Sequence, residues 1–315
     1  MNRTLVVGTR ASLLAGRQTD WVVQALRRCH PALTLDVVTI RTTGDAFLHR
    51  PLSAVGGRGL FTKELEDALS ARKIDLAVHS LKDLPTQLPD GLTLGAIPAR
   101  EDPRDALVGT TIAELRTSSR HLTIGTCSLR RQAQLRRLFP EARIVDLRGN
   151  LDTRLRKVKE KVVDGAVLAL AGLKRIGRED EVAAVFEIDD ILPAPGQAAL
   201  AIEIRREDAE LRELLQPIHC LVTDRCVTAE RELLAGLDAG CHAPLAAWAR
   251  IVGQTLHLKG RVLSLDGRQV VEGTHSGPAD SPRDVGRRLA EDLASRGAAG
   301  IIESLGKGPE PGEGV

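Results

Sequence analysis

Val7-Gly8-Thr9-Arg10-Ala11-Ser12-Leu13 returns in altered form as Ile124-Gly125-Thr126-Cys127-Ser128-Leu129. Each copy reads as a short apolar strand, a Gly-Thr turn and a helix that opens on serine, a residue type that caps free N–H groups. Two such units predict two α/β lobes whose strand ends and helix mouths face each other across a central cleft.

Working outward from the first copy, residues 5–7 form the strand and Ser12 caps a helix running to about Cys29. Leu35–Ile40 is the next strand. Residues 42–60 form a polar, Gly-rich loop; its Val55-Gly56-Gly57-Arg58-Gly59 does not meet the GxxxxGK[ST] phosphate-loop pattern. Residues 62–72 read as an amphipathic helix capped by Thr62, and residues 76–78 as a strand. Pro85 and Pro89 stop any helix after it. Around the second copy, strands are expected at residues 122–124, 144–145 and 166–170, and helices at 128–138 and 152–163. A further strand follows at 200–204.

The tail changes character. Residues 223–234 read as a helix, and residues 245–250, Thr255–Leu263 and 269–274 as antiparallel strands with a hairpin turn at Asp266-Gly267. Ser281-Pro282 caps a helix that ends at Gly297. The expected organisation is a first lobe of residues 1–98 with 199–217, a second of 99–198, and a small α+β domain of 218–315.

A chain of 315 residues with 43% hydrophobic content suits several cores better than one. A charged fraction of 27% and a net charge of +2 argue against a strongly basic nucleic-acid binder. No apolar run approaches membrane-spanning length, and the N-terminus lacks signal-peptide anatomy, so a soluble cytoplasmic protein is expected. Five cysteines at 29, 127, 220, 226 and 241 are expected to be free thiols in a reducing compartment. Of 44 basic residues, 35 are arginine. A GC-rich genome would explain an excess of arginine; so would forks that bind carboxylates or phosphates two-pronged.

Position favours the second reading. Arg10 with Ser12, Thr126 with Ser128, Arg130 and Arg131, and Arg148 with Gly149-Asn150 all fall at helix mouths, where unpaired N–H groups and the helix dipole attract anions. Arg154 lies in the first turn of its helix. One such mouth alone reads better as a capped helix beside solvated arginines. Three favour an anionic ligand.

His79-Ser80-Leu81-Lys82-Asp83 ends an apolar strand, where α/β folds place ligands. There Asp83 reads either as half of a surface ion pair with Lys82 or as a carboxylate that stabilises a developing cation. Ala239-Gly240-Cys241-His242-Ala243-Pro244 sets a thiol in a tight turn. It reads as a nucleophile, as an inert cysteine or as part of a metal site. His219, Cys220, Cys226 and Cys241 lack paired CxxC spacing, so no metal is expected.

Together these stretches resemble the porphobilinogen deaminase (hydroxymethylbilane synthase) family. The matching runs are Thr9-Arg10 with Ser12, residues 55–61 (VGGRGLF), 75–85 (DLAVHSLKDLP), 100–106 (REDPRDA), 125–132 (GTCSLRRQ), 147–150 (LRGN), 153–155 (TRL), 171–175 (AGLKR), 227–231 (VTAER) and Gly240-Cys241. They lie in order along nearly the whole chain.

The resemblance implies two periplasmic-binding-protein-like lobes plus a third domain presenting a cysteine. It implies a transferase that joins four porphobilinogens head to tail, with loss of ammonia, onto a dipyrromethane cofactor held by a thioether to Cys241. Water then releases hydroxymethylbilane. Asp83 would be the catalytic carboxylate, stabilising the electron-poor azafulvene. Arg10, Arg130, Arg131, Arg148, Arg154 and Arg175 would bind carboxylates of cofactor and growing oligopyrrole chain. Ser12, Ser80, Lys82, Thr126, Ser128, Gly149 and Gln197 would support them. The family pattern implies a monomer without nucleic-acid or membrane partners.

Departures from that pattern fall at Cys127, where serine is usual, and at Thr43, Ala54, Ala198 and Ala239. Two other readings remain at this point. A non-enzymatic anion-binding protein would bind reversibly without releasing ammonia. A cysteine hydrolase would be inactivated by thiol reagents even with the cofactor attached.

Overall fold

A computed structural model describes residues 4–43, 62–118, 120–240 and 243–306. Cys241, Ala54 and nearly all of the 42–60 loop lie outside the described residues. In chain order the first lobe begins with β1 (Leu5–Arg10), α1 (Leu13–Cys29), β2 (Leu35–Ile40), α2 (Lys63–Ser70), β3 (Leu76–Ser80) and β4 (Leu92–Ala96). The second follows with β5 (Asp105–Val108), α3 (Ile112–Thr117), β6 (Thr123–Gly125), α4 (Leu129–Leu138), β7 (Arg143–Val145), α5 (Leu151–Lys159), β8 (Gly165–Ala169), α6 (Leu170–Arg175) and β9 (Val182–Val185). The chain then returns through β10 (Leu200–Arg205) and α7 (Ala209–Leu215). It ends in α8 (Leu221–Gly236), β11 (Leu245–Val252), β12 (Thr255–Leu263), β13 (Val270–Pro278), α9 (Pro282–Ser295) and α10 (Ala298–Gly306).

The first sheet has the order β2-β1-β3-β10-β4 and the second β7-β6-β8-β5-β9. In each, three parallel strands are followed by one antiparallel strand that the chain brings in on crossing between lobes: β10 on its return, β5 on its way out. The mirrored orders explain the repeated sequence, because β1 and β6 hold equivalent central places. This is the two-lobed, periplasmic-binding-protein-like architecture expected from the sequence. The small α+β unit is also present: a three-stranded antiparallel meander covered by α8, α9 and α10 around one apolar core.

Each lobe's sheet is covered on both faces. Leu5, Val7, Leu76, Ile202 and Ile204 pack under α1 and α7, while Leu65, Leu69 and Ile74 close the other side through α2. Parallel strands buried on both faces carry continuous apolar runs, as β3 does at Leu76-Ala77-Val78; antiparallel β10 is buried throughout although Glu203 and Arg205 interrupt its apolar residues. The lobes touch where α1 meets α6: a Cβ built on Gly172 would lie 3.7 Å from Leu14 Cδ2.

Several local expectations change. Thr62 precedes α2 but makes no side-chain capping bond, and its buried Oγ1 has no partner. Ser281 likewise leaves the start of α9 to Pro282. The helix expected over residues 152–163 stops at Lys159, and Lys161 has φ +58°. No helix among the described residues is long and apolar enough to cross a membrane.

Candidate active site

β1 and β3 run parallel, so Arg10 and Ser80 emerge at the same edge of the first sheet. Ser12 accepts from Ala15 N (3.3 Å) and so caps α1 as expected. One turn into that helix, Gln18 Nε2 donates to Ser80 Oγ at 2.8 Å and ties α1 to the end of β3. A single turn, Leu81–Asp83, follows β3 and turns Asp83 outward, exposed, between the buried Leu81 and Leu84. Arg10, Ser12, Gln18, Ser80 and Asp83 line one cavity. Behind it, His79 Nε2 lies 3.0 Å from Glu203 Oε2, both buried, and burial with Glu203's charge pushes the Glu66 carboxyl up.

Lys82 points the other way, toward the second lobe. Its Nζ donates to Gln197 Oε1 (3.2 Å), and burial together with the Arg131 charge pulls the ammonium down to about 8. Gln197, fully buried in the turn before β10, donates through Nε2 to Asp105 Oδ1 (2.8 Å) and Pro103 O (2.7 Å). Asp105 is the centre of the second lobe's charge. Arg130 Nη2 reaches its Oδ2 at 2.8 Å and Arg131 Nη2 its Oδ1 at 2.7 Å, all three residues buried. Burial alone would raise this carboxyl; the two guanidiniums outweigh it and hold it well below the usual carboxylate range.

The sequence places Arg130 and Arg131 at a helix mouth. In the structure Ser128 caps α4, accepting from Arg131 N (3.5 Å), and both guanidiniums run beneath the surface. Their other bonds go to Leu192 O (2.7 Å), Val167 O (3.1 Å) and Gln197 Oε1 (3.5 Å), while Arg130 Nε and Arg131 Nε are buried without a partner.

Thr126, also buried, braces the same mouth by accepting from Ser128 N (3.3 Å). Gly149 has φ +116°, and a Cβ there would lie 2.6 Å from Thr153, so the turn before α5 requires glycine. Arg154 Nε donates to Gly149 O (2.8 Å) and Nη2 to Cys127 Sγ (3.3 Å). The Cys127 thiol therefore accepts from the Arg154 guanidinium. Arg148 is half-buried, 3.7 Å from Asp146. Arg175 Nη2 donates to Ala198 O (2.6 Å), and burial lowers it to about 10 against the pull of Glu101.

Sequence reasoning gave no role to Gln18, Asp105, Glu230 or Arg231. Glu230, fully buried on α8, accepts from Arg100 Nη1 (2.6 Å), Gly196 N (2.8 Å) and Ala249 N (2.8 Å), joining the lobe crossing to the third unit. Asp105, Glu230 and Arg231 stood inside recognised runs, and that was their only signal.

A dipyrromethane carries several carboxylates, and the donor set suits it. Around Lys82 the guanidiniums of Arg131 and Arg130 stand against the carboxylates of Asp83 and Asp105, and the buried Nε–H groups of Arg130 and Arg131 still need acceptors.

Two α/β lobes joined by crossed strands, with an exposed carboxylate and several cations at their facing ends, define a two-lobed protein with a cationic site. A family model for the porphobilinogen deaminase dipyromethane cofactor binding domain matches residues 5–213, and one for the porphobilinogen deaminase C-terminal domain matches residues 225–295. The chain belongs to the porphobilinogen deaminase family.

The porphobilinogen deaminase of Carboxydothermus hydrogenoformans is 45% identical over 308 residues, 97% of this chain and 98% of that one. That of Syntrophotalea carbinolica is 48% identical over 310 residues, 98% of each. Among solved structures, the methionine binding protein MetQ has a TM-score of 0.42 and 14% identity over 68% of this chain and 89% of its own. That likeness is too distant to add to what the strand orders show.

Proposed function

We propose that this chain is a hydroxymethylbilane synthase that joins four porphobilinogens head to tail, releasing one ammonia for each, and frees the product by hydrolysis. The observation that carries the reading is the convergence of Asp83 with Arg10, Ser12 and Ser80 on one cavity at the sheet edge. When the C–N bond of the substrate's aminomethyl group, protonated as an ammonium, breaks, the electron pair leaves on neutral ammonia and the positive charge passes to the substrate ring. Asp83, exposed on the lining of the cavity, is placed to stabilise that charge through the ring N–H. No activated serine or cysteine is required for turnover.

The dipyrromethane, when bound through Cys241, supplies the nucleophilic pyrrole carbon. Arg10, Lys82, Arg148, Arg154 and Arg175 would hold its carboxylates and those of the growing chain, with the orphaned donors of Arg130 and Arg131 beneath them. Ser12, Ser80, Thr126, Ser128, Gly149 and Gln197 would keep those groups in place.

The unit boundaries 1–98 with 199–217, 99–198 and 218–315 belong to the same proposal, supported by which sheet each segment joins. So do a cytoplasmic location and a monomeric state without nucleic-acid or membrane partners. A net charge of +2 and free thiols at Cys29, Cys127, Cys220 and Cys226 are in keeping with them.

Intact-mass measurement of the purified protein tests the reading. Two attached pyrrole rings are expected, with further rings added on exposure to porphobilinogen, and Cys241→Ser should carry none. A wild-type protein that stays bare when supplied with porphobilinogen would sink it.

A further inference from the structure

The loop that carries Asp83 has few bonds of its own. Leu84 N donates to Leu81 O at 3.1 Å, closing one turn, and Pro85 has no N–H to contribute. Its next three carbonyls are met by a single side chain. Arg231 Nη1 donates to Leu84 O (3.1 Å), and Nη2 donates to Pro85 O (2.6 Å) and Thr86 O (3.3 Å).

Arg231 belongs to α8, outside the first lobe. One turn earlier on the same face, Val227 packs with Leu81 and Leu84; a turn before that, Thr223 Oγ1 accepts from Arg100 N (3.0 Å). After α8 ends at Gly236, a short turn leads to Cys241. One helix thus grips the backbone behind Asp83 and leads to the cysteine.

We infer that Arg231 is a positioning residue for Asp83: held on three consecutive carbonyls, it fixes the carboxylate relative to the helix from which the pyrrole chain is tethered. The inference rests on the reading of Asp83 given above. The guanidinium is suited to the task because its planar fork presents several donors at fixed angles, which an ammonium on a flexible stem cannot.

The test uses the pyrrole-loaded enzyme as Arg231→Gln, Arg231→Lys, Asp83→Glu and the Asp83→Glu/Arg231→Gln double variant. Arg231→Gln is expected to lower kcat roughly 10- to 100-fold, the range that about 1 Å of misplacement produces. Porphobilinogen KM should stay within about twofold and the attached pyrroles should remain by intact mass. Amide exchange should quicken at residues 84 and 86, and Arg231→Lys should recover part of kcat. In the Asp83→Glu background, Arg231→Gln should cost little further.

Equal multiplicative losses in both backgrounds, or a lower Tm with unchanged kcat, would overturn the positioning role. If Asp83→Glu itself leaves kcat unchanged, the reading of Asp83 fails and takes the inference with it. If Asp83→Glu is impaired and Arg231→Gln is not, the inference alone fails. Should Arg231→Gln not fold, Arg231→Lys and its double variant with Asp83→Glu carry the same comparison.

Discussion

In the first lobe β1 ends on Arg10, and Asp83 stands exposed one turn beyond β3, both against an open cavity. In the second lobe the equivalent strand and helix carry Arg130 and Arg131 beneath the surface, locked onto Asp105 at 2.8 and 2.7 Å. The same strand, turn and capped helix therefore present charge on one side and consume it as scaffold on the other. Asp83 and Asp105 are chemically identical side chains, and burial separates their roles. An exposed carboxylate keeps its charge at little cost and can act on a ligand, whereas a buried one must be fully paired.

Removing each carboxylate in turn should break this comparison if it is wrong. Asp105→Asn leaves two buried guanidiniums short of their counter-charge, for which a loss of about 3–5 kcal/mol is expected. Urea unfolding would reveal it as a large drop in midpoint or a failure to fold. Asp83→Asn should move the same midpoint by no more than about 0.5 kcal/mol, since the side chain is exposed. Its effect belongs in turnover, where a loss on the order of 10²–10³ in kcat is expected. A destabilised Asp83→Asn, or a stable and slow Asp105→Asn, would reverse the assignment.

A smaller effect separates the cleft with and without its anionic chain. Lys82 falls from 10.5 to about 8 on folding, chiefly through burial and then through Arg131. The unfolded chain then binds more protons than the folded one between those values. The penalty is therefore full below about pH 8 and is relieved as pH rises toward 10.5. Protein without attached pyrroles should gain stability between pH 7.5 and 9 relative to Lys82→Met. Carboxylates bound nearby should restore the ammonium and flatten that difference. Cys226, pushed up to about 12 mainly by burial, works in the opposite direction at higher pH, so the comparison with Lys82→Met is what isolates the lysine.

Much of the frame was legible because α/β lobes write their strands as apolar runs and their helix starts as serine caps. The echo between residues 7–13 and 124–129 gave two lobes, and the mirrored strand orders supply its physical cause. The short strands β4, β5 and β9 were not legible, since β5 opens on a charged aspartate and none alternates clearly. Arg130 and Arg131 read as an anion-binding mouth because their spacing puts them in the first turn of a serine-capped helix. What buries them is Asp105, 25 and 26 residues away, and spacing alone cannot supply that. Arg231 was hidden for the same reason: its acceptors are carbonyls, which leave no mark in the sequence of residues 84–86.

Ala198 offers the finest test, because it stands at a left-handed position in the crossing that joins the two lobes. It has φ +71°, two residues after Gly196 at +73°, and its carbonyl holds Arg175. A left-handed alanine costs about 1–2 kcal/mol relative to glycine. Against that, Ala198→Gly would loosen the unfolded chain by about 0.4–1 kcal/mol. It would also remove a buried methyl worth about 0.8 kcal/mol. The contributions nearly cancel, so Ala198→Gly should shift stability by less than about 1 kcal/mol and leave porphobilinogen KM unchanged. Ala198→Val has no such offset, because a β-branched residue is strained wherever φ is positive, and it should lose stability and disturb Arg175 together. If valine is tolerated as well as glycine, the left-handed turn does not hold the crossing. Arg175 would then have to be fixed from the second lobe alone.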